Sequence, residues 1–100
     1  MTFDVEEEGE GEGTLRVRLA GELDITNVDA LAAAVAPALE RGPRRVVIDV
    51  RELRFADSSA IALWVQWASA VPEIELREVS PLLRRVVESM GLSDTLNLKP

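Results

Sequence analysis

Leu15, Val17 and Leu19 alternate with Arg16 and Arg18, the period-two pattern of a strand with one buried face. After Gly21-Glu22-Leu23-Asp24 the period lengthens, and Val28, Leu31, Ala32, Val35 and Leu39 fall on one helical stripe that ends at Gly42-Pro43. Thr26 with Asp29 three residues later reads as a capping pair for this helix, with Asp24 as an alternative start. The continuous run Val46-Val47-Ile48-Asp49-Val50 predicts a central strand covered on both faces. A second helix is expected over residues 58–71, broken by Pro72, and Ile74 and Leu76 then alternate with Glu75 and Arg77 as a further strand. Ser80-Pro81 opens a third helix with serine as cap; Leu82, Leu83, Val86, Val87 and Met90 are its expected buried stripe, and Gly91 closes it. Leu96 and Leu98 predict a last short strand.

Strands that alternate with helices build βαβ units. The expected fold class is therefore α/β: one domain over residues 1–100, with a mixed, mostly parallel sheet of four to five strands and three main helices. Phe3-Asp4-Val5 and the strand beginning at Thr14 form an N-terminal hairpin. Between them, the Glu/Gly run over residues 6–13 has little apolar content and reads as a flexible acidic loop. This loop lacks the ligand pattern of an EF-hand.

Composition narrows the chemistry. The chain has 100 residues, no cysteine and no histidine, which removes disulfide frameworks, Cys/His zinc sites and catalysis through imidazole or thiol. The expected class is a cytoplasmic protein that is not an enzyme and uses no cofactor. No glycine-rich phosphate loop is present, so ATP is expected on a partner and not on this chain. A net charge of −7 disfavours phosphate backbones. Six of the acids lie within residues 1–13 without a single base, so the rest of the chain is nearly neutral.

Asp57-Ser58-Ser59 stands where a buried strand hands over to an apolar helix. A helix start favours negative charge, which makes the triplet a candidate phosphate address, although on spacing alone Asp57 or Ser58 reads as a helix cap. At about 100° per residue, Ser58, Ser59, Ala62, Gln66 and Ser69 share one arc, while Ala60, Ile61, Trp64, Ala68 and Val71 occupy the opposite one. After Asp57 the polar strip carries no charge. A partner desolvates such a strip easily, and a phosphoryl group of about −1.5 to −2 charges alters it strongly.

Gly21-Glu22-Leu23-Asp24, Val47-Ile48-Asp49-Val50 with Leu53 and Phe55, Asp57-Ser58-Ser59, Ser80-Pro81 with Arg84-Arg85-Val86, and Gly91-Leu92 together resemble a STAS domain, the fold of bacterial anti-sigma factor antagonists. The resemblance runs from about Thr14 to Leu98. It implies a partner-switching regulator that binds an anti-sigma factor, itself a serine kinase, when unmodified. Phosphorylation at Ser58 releases that partner, and a phosphatase reverses the modification. With Ala62 and Gln66 of the polar strip, the expected partner surface comprises Asp24, Asp57, Ser58 and Ser59; Asp24 reads equally as a capping residue, and for Ser59 the cap is the stronger reading. The family commonly has glycine where this chain has Ala60, whose methyl is expected to narrow the approach of a partner loop. The alternative is an unphosphorylated STAS scaffold subunit that stabilises the ATPase of an ABC-type lipid transport system. Such subunits often carry threonine or glycine at the position of Ser58.

Overall fold

The computed structural model describes residues 1–8 and 13–99. In chain order they form β1 (Thr2–Glu8), β2 (Thr14–Leu23), α1 (Val28–Glu40), β3 (Arg45–Ala56), α2 (Ser58–Ala70), β4 (Glu73–Arg77), α3 (Pro81–Ser89) and α4 (Ser93–Leu96). The four strands make one sheet in the order β1-β2-β3-β4. β1 and β2 are an antiparallel hairpin, and the β2/β3 and β3/β4 pairs are parallel. The expected α/β domain, with its mostly parallel sheet and N-terminal hairpin, is what the chain adopts.

Register explains the core. Leu15 and Val17 of β2 sit beside Val46 and Ile48 of β3, which sit beside Ile74 and Leu76 of β4. These side chains share the helix-covered face and pack with Leu31 and Val35 of α1 and Ile61 and Trp64 of α2. Leu15, Val17, Val46 and Ile48 have no exposed surface, and each such aliphatic side chain contributes roughly 1.5–3 kcal/mol by burial.

The opposite face is not covered by helices, which corrects the expectation of a central strand sandwiched on both sides. It carries Arg16 and Arg18 of β2 beside Val47 and Asp49 of β3. Ion pairs lace it: Arg16 to Glu8 at 2.8 Å, Arg18 to Glu6 at 3.6 Å, and Glu75 to both Arg45, at 2.5 Å, and Arg77. Val47 is nevertheless buried; the long stems of neighbouring arginines are suited to shield it.

The acidic run also differs from expectation. Glu6, Glu7 and Glu8 belong to β1, because each acid has a basic partner across the fold; Glu7 pairs with Arg41 at the end of α1 at 2.6 Å. Residues 9–12 of that run lie outside the described residues. At the other end, Leu96 closes α4, and the expected last strand shrinks to an isolated bridge of Leu98 to Leu76, in which Leu76 N–H bonds Asn97 carbonyl at 3.3 Å and Lys99 N–H bonds Leu76 carbonyl at 2.8 Å.

Helix α3 departs furthest from its sequence pattern. Ser80 caps it through Leu83 N–H at 3.2 Å and Pro81 opens it, as expected. Of the predicted stripe, however, only Val87 is buried; Leu82 is 69% and Met90 44% exposed. The helix is amphipathic, but the sheet lies beneath only part of its apolar face.

Candidate functional site

The three parallel strands end on the same side of the sheet, where crevices for ligands and partners commonly form in open α/β sheets. β2 leads there into the loop at Asp24, and β3 leads into Asp57 and α2. Asp57 N–H bonds Leu23 carbonyl at 3.2 Å, so the two strand exits are tied together by backbone.

Asp57 is the N-cap of α2. Its Oδ1 accepts from Ser59 N–H at 3.0 Å, Ala60 N–H at 3.3 Å and the Ser59 hydroxyl at 2.5 Å. Its Oδ2 accepts from Ile25 N–H at 3.2 Å, across 32 positions of sequence. The Ser59 hydroxyl is the largest cause of a carboxyl pKa held below its ordinary value; partial burial opposes the shift, and the Ala60, Ile25 and Ser59 amides add to it. Asp57 is thus a fixed anion that joins the helix start to the neighbouring loop.

The loop has its own internal order. Asp24 Oδ1 accepts from Thr26 N–H at 2.9 Å and from the Thr26 hydroxyl at 2.5 Å. The backbone carbonyl of Asp24 takes the N–H groups of Asn27 and Val28. Asn27 accepts from Asp24 N–H at 3.0 Å and donates to Glu22 carbonyl at 2.9 Å. The first helix therefore starts at Val28, and Thr26 with Asp29 does not form the predicted cap. Asp24 instead shapes the turn that delivers Ile25 to Asp57.

The two serines differ. Ser59 is half-buried and its hydroxyl is spent on Asp57, whereas Ser58 is exposed and its hydroxyl has no hydrogen-bond partner among the described residues. Ser58, Ala62 and Gln66 follow at helical spacing and are all exposed, continued by Ser69, whose hydroxyl bonds Gln66 carbonyl at 2.9 Å. Val65 is half-buried at the margin, and Trp64 and Trp67 are both core. The structure thus brings together all six sequence-predicted residues, with Asp24 linked to the rest through Ile25 and Asp57.

Two expectations change here. Ala60 is fully buried, so its methyl points into the core and not toward an approaching partner. The donors at the helix start are largely occupied: Asp57 holds the Ser59 and Ala60 amides, so a phosphate on Ser58 meets a carboxylate beside it more than a nest of free N–H groups. Sequence reasoning also missed Ile25, which is 70% exposed next to Asp57, and Phe55, 51% exposed two residues before it. An isoleucine flanked by Asp24 and Thr26 outside any helical or strand period was the available signal for the first.

Among the described residues no group of three potential ligands could hold a metal ion, and no helix is long and apolar enough to cross a membrane.

Comparison with known proteins agrees with this fold. Over 86 residues, 82% of this chain and 80% of the relative, the sequence is 27% identical to the anti-sigma-B factor antagonist of Staphylococcus aureus. The fold matches the crystal structure of an anti-sigma factor antagonist from Mycobacterium paratuberculosis with a TM-score of 0.82 at 22% identity, over 99% of this chain and 86% of that one. It matches the phosphorylated form of the Bacillus cell fate determinant SpoIIAA with a TM-score of 0.70 at 24% identity, over 97% and 92% of the two chains. The family model described as Mlab, STAS domain, matches residues 7–99, and the chain belongs to the STAS domain family.

Proposed function

We propose that this protein is an anti-sigma factor antagonist that works by partner switching at Ser58. The unmodified strip of Ser58, Ala62 and Gln66 binds an anti-sigma factor that is also a serine kinase. The kinase holds ATP; Ser58 Oγ attacks the γ-phosphorus, a new O–P bond forms, the bond to the β-phosphate oxygen breaks, and ADP leaves. The proton of Ser58 passes to a base on the kinase, since the lowered pKa of Asp57 makes it a poor acceptor. The phosphoserine then sits beside the anionic Asp57, and the concentrated negative charge repels acidic groups on the partner. A phosphatase restores the hydroxyl.

The observation that carries this reading is the contrast between the serines: one exposed hydroxyl is unpartnered among the described residues, and its neighbour is locked to the cap. Similarity to the anti-sigma-B factor antagonist of Staphylococcus aureus supports the antagonist role. Phosphopeptide mapping of protein from its native cell should find the phosphate on Ser58. Ser58→Ala should hold the kinase-like ATPase in a pull-down and Ser58→Asp should release it; equal affinities, or a phosphate mapped elsewhere, sink the mechanism.

A second reading has one observation of its own, because the matching family model carries the name Mlab and not that of an antagonist. On that reading the chain is an unphosphorylated scaffold for the ATPase of a lipid transporter. A transporter ATPase retained equally by both Ser58 variants would select it.

A further inference from the structure

Where β4 stops, the sheet is left with an open edge. β4 pairs with β3 only from Glu73 beside Arg45 to Arg77 beside Asp49, whereas β3 runs on to Ala56. Glu78 adopts left-handed backbone, φ 61°, and turns the chain out of the sheet toward α3. Residues 51–56 therefore have β2 on one side, and among the described residues no strand pairs with them on the other.

Between this edge and α3 lies a groove of about 240 Å³ lined by Leu53, Phe55, Ala56, Leu82, Leu83 and Val86. The exposure of Phe55 and Leu82 is the surface left by the underfilled α3 stripe. Arg54 and Ser80 complete the lining. Arg54 makes no ion pair among the described residues, and no carboxylate lines the groove although the chain carries a net charge of −7. Exposed Arg85 follows Leu82 by one helical turn on α3.

We propose that this groove binds an extended segment of a partner protein, which adds as a strand beside residues 53–56. Its alternate apolar side chains fill the groove, and an aspartate or glutamate pairs with Arg54. An unpaired edge supplies main-chain hydrogen bonds, and pockets at alternate positions supply specificity. The space is smaller than the roughly 300–1,000 Å³ of a drug-sized ligand site, which suits a few side chains of a strand. Arginine and a carboxylate form the strong, directional pair that fixes register. At the sheet's other edge Glu6 and Glu8 of β1 already pair with Arg18 and Arg16, whereas Arg54 has no such carboxylate among the described residues, so the groove edge draws an acidic segment. The contact is independent of Ser58 chemistry, although Ala56 places it within reach of the same partner.

The test is to pan a phage-displayed library of random peptides on the full chain and to map a synthetic copy of the enriched peptide by amide NMR and hydrogen exchange. Enriched peptides should alternate apolar with acidic residues, shift the amides of residues 53–56 and Leu82, and slow exchange within residues 53–56. Arg54→Glu, an exposed change, should weaken binding by about tenfold or more, and Ser58→Asp should leave it unchanged. Basic peptides, binding without exchange protection, or binding at the α2 strip overturn the proposal. So does protection of residues 53–56 that grows with protein concentration alone, since that assigns the edge to a second copy. An effect of Ser58→Asp as large as that of Arg54→Glu would merge the groove with the switch and overturn its independence.

Discussion

Replacing Ala60 with glycine, the residue common at this position in the family, tests how the helix that carries Ser58 is built. Ala60 is the third residue of α2 and has no exposed surface. Its methyl is worth roughly 0.8 kcal/mol by burial. Glycine adds a backbone penalty of about 0.8–1.0 kcal/mol in a helix interior and less in the first turn. The expected loss is about 1–2 kcal/mol, and in a domain of this size each kcal/mol lowers Tm by roughly 4–8 °C. The Ala60 N–H persists in Ala60→Gly, so the bond to Asp57 remains and the proposed phosphorylation at Ser58 should proceed at the parent rate. Urea unfolding followed by circular dichroism gives the stability, and a timed kinase assay gives the rate. A variant of unchanged stability that is phosphorylated several-fold faster would show that the methyl faces the partner and would refute the assignment of Ala60 to the core.

Three further outcomes follow from the packing and the charges. Val87→Ala should cost about 2 kcal/mol in a denaturant titration, because two buried methyl equivalents and a cavity are involved, whereas Leu82→Ala should stay within about 0.5 kcal/mol. Asp57 has a depressed folded pKa, so its cap acts fully above the unfolded carboxylate range and is lost as pH falls through the lower folded value. Ser59→Ala removes the largest cause, and carboxyl-carbon NMR should show the Asp57 midpoint move up toward its ordinary value. Burial acts to raise the Glu75 pKa, but its hydrogen bonds with Arg77 and Arg45 and their charges hold it lowered. Glu75→Gln should therefore destabilise by about 1 kcal/mol at neutral pH, with a difference that shrinks in high salt and at pH below the folded Glu75 value.

Much of this was legible in the chain because the signals are local. Alternation around Val17 oriented the sheet, and the 100° projection separated Ser58, Ala62 and Gln66 from Ile61 and Trp64. That projection also put Ala60 on the buried side, which outweighs the inference drawn from its replacing a family glycine. What stayed hidden depends on partners distant in sequence. Glu6 and Glu8 read as loop because their strand character comes from Arg18 and Arg16 on the neighbouring strand. The apolar stripe of α3 is real, but the amount of sheet available beneath it depends on where β4 stops. Likewise Ser58 and Ser59 look equivalent in sequence, and burial together with the direction of the Ser59 hydroxyl toward Asp57 distinguishes them.

The two tryptophans give this architecture an optical consequence. Both lie on α2, both are buried, and the chain has no tyrosine, so its ultraviolet absorption and emission come almost wholly from the helix that begins at Ser58. The Trp64 indole Nε1 finds no hydrogen-bond partner among the described residues, which places that ring in an apolar setting on the sheet side of the helix. Intrinsic fluorescence is thus a label-free gauge of how α2 seats on the sheet. It should stay blue-shifted and steady if the proposed partner binds the outer face of the helix, and turn red only when the helix leaves its bed.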